Sequence, residues 1–205
     1  MKIFSIVAAI FSGAIFFVTG CASAEKSETA FENRVFLTNE NATSVVSAEE
    51  FFRTAKARVF PHRLAADYRD EHWEADGVLK ISGDGLRVVA TTPAGRIFTL
   101  NWARDGRLDF EKNAIFGAPV NPWYLLMDLT LIFGDAETLA RHFSSPWKFE
   151  ENAGARTLFC GSEKIAEIEF SSAGSANGNA DDSAQKTRIH LKNFVRGYEY
   201  FLTEF

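Results

Sequence analysis

From residue 78 onward, apolar and polar side chains alternate along much of the chain. Val78-Leu79-Lys80-Ile81-Ser82 leads into the turn Gly83-Asp84-Gly85, and Leu86-Arg87-Val88-Val89-Ala90 follows. After a second turn at Thr92-Pro93-Ala94-Gly95, the run Arg96–Trp102 sets Phe98, Leu100 and Trp102 on one face. Asp105-Gly106 is a tight hairpin signal, and Arg107–Glu111 alternates again. A period of two predicts short antiparallel strands, apolar on one face and wet on the other. Similar runs return at Trp147–Glu151, Arg156–Cys160 and Lys164–Phe170. A last hairpin, Arg188–Asn193 and Tyr198–Thr203, is expected around Arg196-Gly197.

Helical signals interrupt this rhythm. Ser47 with Glu50 forms a capping box ahead of Phe51 and Phe52, and that helix should end before Pro61. Asn121 is a natural N-cap with Pro122 at the first helical position, and Gly134 is a closing residue. The helix between them is apolar almost all round, so burial on several sides is expected, packed across the concave face of a sheet. A strand over Leu129–Phe133 stays open as the alternative. Asp135 can cap a second short helix through Phe143, stopped by Pro146. Residues 171–186 are rich in Ser, Ala, Gly, Asn and Asp, and no element is assigned there. The reading is α+β, mainly β, with about eight or nine strands and two or three helices. The strands form one twisted antiparallel sheet, a half-open barrel with helices on one side.

The N-terminus follows another pattern. An apolar stretch runs from Ile3 to Val18 behind the single basic residue Lys2. It is shorter than the roughly 20 residues of a spanning helix, and it ends in small residues, as a secretory signal does. The ending Val18-Thr19-Gly20-Cys21 resembles the lipobox of bacterial lipoproteins, in which the cysteine is lipidated and begins the mature chain. The expected organisation is a signal peptide over 1–20, a lipidated, polar tether over 21–46 and one domain over 47–205. The tether would reach on the order of 25–30 Å if flexible, although Arg34–Leu37 could instead pack onto the domain.

Composition narrows the function classes. Removing residues 1–20 takes away one lysine and leaves 21 basic against 27 acidic residues. An acidic chain without a basic cluster argues against nucleic acid as a partner and against electrostatic docking on anionic lipid. With Cys21 carrying lipid, Cys160 has no disulfide partner, and its apolar surroundings suggest a buried, inert thiol. Phe occurs 20 times, enough to fill a thick core or to line an apolar cavity.

No chemistry stands out. His62, His72, His142 and His190 share no metal-ligand spacing, and no Gly-x-Ser-x-Gly elbow is present. Gly83-Asp84-Gly85 is a turn and not a phosphate loop. Glu167 and Glu169 share one strand face, which suits paired catalytic carboxylates or simply an exposed face. Asp128 is the one charge in the apolar helix; it could orient a ligand head group, lie on a solvated strip or take a local hydrogen bond. The expectation is a non-enzyme without metal or cofactor beyond the lipid on Cys21.

A set of segments carries a resemblance: T-P-A-G-R-I-F-T-L at 92–100, P-W-Y-L-L-M-D-L-T-L at 122–131, W-K-F at 147–149, A-R-T-L at 155–158 and I-H-L-K-N-F-V-R-G-Y at 189–198. Together with the lipobox they resemble an uncharacterised family of bacterial outer-membrane lipoproteins that is itself similar to LolB and LolA. The resemblance covers most of residues 60–203. It implies an incomplete antiparallel barrel with a helical lid over an apolar cavity for acyl chains. LolB receives lipoproteins from periplasmic LolA and places them in the outer membrane. The implied partners are therefore the membrane, through the anchor, a lipid or lipoprotein cargo and a LolA-like carrier, with the chain a monomer. Members of that family are often associated with aryl-polyene or other lipid pathways. Ala22, in place of Asp after the cysteine, resembles an outer-membrane sorting signal. The cavity-lining candidates are Phe98, Leu100, Trp102, Leu125, Leu126, Leu129 and Ile132. Cys21→Ser is expected to abolish metabolic labelling with palmitate; labelling equal to that of the native chain would contradict the lipobox reading.

Overall fold

The structure is a computed structural model that describes residues 25–26, 34–36, 41–113, 120–173 and 186–205. Cys21 and the signal segment lie outside the described residues, as does most of the loop expected over 171–186. After the short strands β1 (Glu25–Lys26), β2 (Arg34–Phe36) and β3 (Ala42–Ser44) comes helix α1 (Ala48–Thr54). Five strands follow: β4 (Arg58–Tyr68), β5 (Glu71–Ser82), β6 (Gly85–Thr92), β7 (Gly95–Ala103) and β8 (Leu108–Lys112). Helices α2 (Pro122–Phe133) and α3 (Ala136–His142) separate these from β9 (Trp147–Asn152), β10 (Ala155–Cys160), β11 (Glu163–Ala173), β12 (Lys186–Asn193) and β13 (Tyr198–Glu204).

The main sheet has eleven strands in the order β1-β8-β7-β6-β5-β4-β13-β12-β11-β10-β9, antiparallel at every pairing described. It does not close, since β9 and β1 are not hydrogen-bonded to each other. Two meanders, β4 to β8 and β9 to β13, join through the antiparallel β4–β13 ladder, in which Tyr198 faces Tyr68 and Glu204 faces His62. β2 and β3 form a separate two-stranded ribbon.

The expected helices form for the expected reasons. Ser47 Oγ accepts from the Glu50 amide at 3.2 Å, which makes the cap, and donates to the Glu50 carboxylate at 2.9 Å. Asn121 Oδ1 accepts from the Trp123 amide at 2.9 Å, and the Gly134 amide closes α2 on the Thr130 carbonyl at 2.8 Å. A Cβ at Gly134 would stand 2.4 Å from that carbonyl, so a side chain is excluded there. The strand alternative for Leu129–Phe133 is thereby set aside.

Two expectations on the N-terminal side are corrected. Residues 58–77 carry β4 and the first part of β5, where no strand was expected before Val78. Pro61 lies inside β4, and its carbonyl accepts from the Phe205 amide just where β13 runs out. The ladder bond that proline cannot donate therefore falls at the end of the neighbouring strand. Part of the stretch read as a tether also contributes to the core: Val35, Val45 and Val46 are each only 1% exposed. His142 Nε2 lies 2.8 Å from the Ser44 carbonyl and ties this segment to α3.

α2 lies against the sheet, and its C-terminal end is fixed by one residue. Arg156 Nη1 donates to the carbonyls of Leu131 and Ile132 at 2.8 Å and of Gly134 at 3.0 Å. A helix C-terminus offers unpaired carbonyls and partial negative charge, and a guanidinium satisfies both. Glu151 holds the same guanidinium at 3.3 Å. Arg156→Met keeps the stem and removes these bonds. We expect it to cost about 3 kcal/mol, read as a lower urea midpoint with an unchanged slope; a loss under about 1 kcal/mol would show that α2 is held elsewhere.

Candidate functional site

Small residues at inward positions leave a hollow in the sheet. Ala66 on β4, Ala75 and Gly77 on β5 and Ala90 on β6 line a cavity of about 540 Å³ roofed by α2. Further along the same strands the side chains are large. Phe60, Leu79, Val88, Leu100 and Phe110 follow one another across β4 to β8 and fill the space. Gly77 is required by a close approach, since a Cβ there would stand 2.5 Å from His62 Nε2. A register shift between β6 and β7 at Ala90/Thr91 brings both Ile97 and Phe98 into the cavity wall.

Polar groups are few and specifically placed. All four tyrosines of the chain, Tyr68, Tyr124, Tyr198 and Tyr200, line the cavity. Asp128 of α2 is only 4% exposed and accepts a hydrogen bond from the Tyr198 hydroxyl at 2.8 Å. Asn193 Nδ2 donates to that same hydroxyl at 3.3 Å. Burial pushes the Asp128 carboxyl up to about 7, against the opposing pull of Tyr198, Tyr200 and Arg196. Burial, then Asp128, raises both Tyr198 and Tyr200 well above the usual phenol range. The Tyr200 hydroxyl is near enough to the carboxylate to favour its charge, yet its geometry falls short of a hydrogen bond. Trp73 Nε1 in the same wall is also buried without a hydrogen-bond partner among the described residues.

His62 completes the wall. Its Nδ1 lies 2.9 Å from the Phe60 carbonyl, which can only accept, so Nδ1 carries the proton. Burial lowers the pKa, opposed by that bond and by Asp76. The neutral ring then has Nε2 as an acceptor. At the mouth, the Arg196 guanidinium lies over the Tyr124 ring, 3.6 Å from its centre, and also bonds the Tyr124 hydroxyl.

The candidates named from the sequence divide between cavity and core. Phe98, Leu125 and Leu129 line the cavity. Leu100 and Leu126 are fully buried in the core instead. Trp102 packs against Phe51 and Phe52 of α1, at ring separations of 5.3 and 5.1 Å. Ile132 faces a smaller hollow between α2, β10 and the end of α1. The physical reason is that α1 plugs the far end of the β7 face, while α2 turns Tyr124, Leu125, Asp128 and Leu129 to the cavity.

Asp128 is likewise neither on a solvated strip nor in a local hydrogen bond, because its partner is 70 residues away on β13. The roles of His62, Trp73, Tyr198 and Tyr200 were not foreseen. Small residues at alternate positions, and tyrosines grouped on one strand, were the available signals. Glu167 and Glu169 lie on a charged face, 2.8 Å from Lys164 and 3.6 Å from His190 respectively. Cys160 is half-buried and its thiol is pushed up by burial, then by Glu163. No group of three His, Cys, Asp or Glu placed to hold a metal occurs among the described residues, nor does a helix long and apolar enough to cross a membrane.

Asp128 makes stability depend on pH. Its pKa in the fold, about 7, lies above the ordinary 3.8, so the native state holds the proton more tightly. That stabilisation is complete below about pH 4 and disappears as pH rises through 7. His62 acts oppositely: its lowered pKa favours the fold above the ordinary histidine value and is lost on acidification. Comparing Asp128→Asn with the native chain isolates the carboxyl. The two should be equally stable at pH 4, with the variant ahead at pH 8 by an amount on the order of 3–4 kcal/mol. Parallel denaturation profiles at the two pH values would refute the assignment.

Comparison with known proteins agrees with these boundaries. A search of curated proteins finds no match. A family model described as "Protein of unknown function (DUF3261)" matches residues 61–204, from within β4 to the end of β13, and so takes in both meanders with α2 and α3. The match spans well over half of the chain, which therefore belongs to that family of proteins of unknown function.

Proposed function

We propose that this chain is a lipid-anchored protein of the periplasmic face of the outer membrane that binds acyl chains in its cavity and aids their transfer. The observation that carries the reading is the cavity itself, about 540 Å³ with mostly apolar walls. That size lies within the roughly 300–1,000 Å³ of small-molecule sites. Burying about ten methylenes of an acyl chain would contribute on the order of 8 kcal/mol before the cost of association. The half-open antiparallel sheet with a helix across it supports the likeness to LolB and LolA. The lipobox ending at Cys21 supports the anchor and hence the location. On this reading the cargo is a lipid or a lipidated protein handed over by a LolA-like carrier, and no bond is made or broken. An assembly protein with a solid core is the alternative, and the cavity counts against it.

The test is binding of a fluorescent acyl probe by the soluble form, residues 22–205. Ala90→Trp, which puts a large side chain into the cavity, should weaken binding at least about tenfold, the equivalent of roughly two lost methylene contacts. Native binding no tighter than that of a cavity-free control protein would refute the proposal and favour the solid-core alternative.

A further inference from the structure

The cavity wall holds hydrogen-bonding groups that the protein itself does not satisfy. Tyr200 and Trp73 flank Ala66 in one row across β13, β4 and β5, since Tyr200 pairs with Ala66 and Ala66 with Trp73. The Tyr200 hydroxyl and the Trp73 indole N–H are both buried, and neither has a hydrogen-bond partner among the described residues. Tyr200 is itself only 8% exposed, and both residues line the cavity. Buried polar groups are almost always paired, so two unpaired donors in one wall point to an acceptor that arrives with the ligand.

The neighbouring charges restrict what that acceptor can be. Asp128 faces Tyr198 and Tyr200 from β13 and feels Arg196 from the turn before it. Arg196 is committed to Tyr124 through both its ring and its hydroxyl. Elsewhere in the lining stand His62, Asp67, Glu74 and Glu199, so acidic groups outnumber the one arginine. A ligand carboxylate would meet a carboxyl that is itself part-ionised near neutral pH, and like charges disfavour each other. An ammonium head would suit Asp128, but it offers donors only and would leave the Trp73 N–H unmet. An uncharged carbonyl accepts from Tyr200 and Trp73 and brings no charge against Asp128 in either of its protonation states.

We propose that the ligand carries an uncharged acyl carbonyl, an ester or amide, seated against the Tyr200–Ala66–Trp73 row beside Asp128. This rests on the acyl-chain reading and specifies its substrate class: acyl esters or amides over free fatty acids and alkylamines.

The experiment uses the full-length chain in amphipol, with a fluorescent acyl probe displaced at pH 8 by monomyristoylglycerol, myristate or tetradecylamine. These share a chain length and differ in the head. Monomyristoylglycerol is expected to displace the probe at a concentration about tenfold lower than the other two. Tyr200→Phe should weaken the monoacylglycerol about tenfold, leave myristate unchanged and not lower the denaturation midpoint, because it removes an unpaired hydroxyl from the fold. A purely structural role for Tyr200 would not separate the two ligands. Asp128→Asn should narrow the gap between ester and myristate. Equal displacement by all three, a preference for myristate or the amine, or an unchanged monoacylglycerol value in Tyr200→Phe would overturn the head-group assignment while leaving acyl binding intact. Failure of the probe itself to bind would overturn the acyl-chain reading and this assignment with it.

Discussion

The β4–β13 ladder is the joint on which the sheet depends. Among the ten strands from β4 onward, every other pairing joins strands consecutive in the chain, and this one brings residues 62–68 against 198–204. It unites two meanders into a surface wide enough to curve around α2. It also fixes which way the cavity-forming residues point. Inward positions alternate, so a slip of one residue on β13 would turn Tyr198 and Tyr200 away from Asp128 and bring Glu199 and Phe201 inward. The hydrogen bond from Tyr198 to Asp128 then works as a register lock: it forms in one pairing and is lost in the adjacent ones. Closing so long a loop is entropically costly, which makes a specific buried contact at that seam valuable.

Filled and hollow parts of the interior differ in chemistry. Phe51, Phe60, Phe110, Phe143 and Phe149 pack the core, whereas the tyrosines gather around the cavity. A phenylalanine needs only close contact. A buried tyrosine also needs a partner for its hydroxyl, and a cavity wall can leave that partner to a ligand. The small residues Ala66, Ala75, Gly77 and Ala90 forgo the contacts that larger side chains would make in their places. Such a row of unfilled positions is unexpected in a sheet selected for stability alone and natural in one that must admit something. α2 lies on the boundary, with Leu125 and Leu129 facing the hollow and Leu126 and Leu131 facing the packed side.

Much of the frame could be read from the amino-acid sequence because local physics dictates it. Ser47, Asn121 and Asp135 are caps that act within three residues, and all three helices start where those residues stand. Strands with glycine-marked turns, such as β6 to β8, announce themselves too. β4 and β5 do not. Their hairpin turns at Arg69, which adopts a positive φ of 55° without being a glycine, so the usual turn signal is missing. His62 points inward and Ala65 outward, which blurs the alternation, and Pro61 reads as a break. The cavity was harder still. Whether Phe98 or Trp102 meets empty space depends on α1, and nothing local to β7 reveals that α1 covers Trp102. Asp128 reads as a solvated charge until β13 is known to lie opposite it.

The anchors of α2 are graded along its length, and the gradient runs toward the cavity mouth. Its last turn is buried and held by a guanidinium that bonds three carbonyls. Its middle is held through Asp128, whose bond to Tyr198 passes between charged and neutral forms near pH 7. Its first turn is half-exposed and stands near Glu74, Asn121 and Arg196, the exposed residues of the cavity lining. The attachment with most hydrogen bonds thus lies farthest from the opening, and the one that titrates near pH 7 lies inside the cavity. The two anchors share no residue: Arg156 reaches α2 from β10, and Tyr198 reaches it from β13.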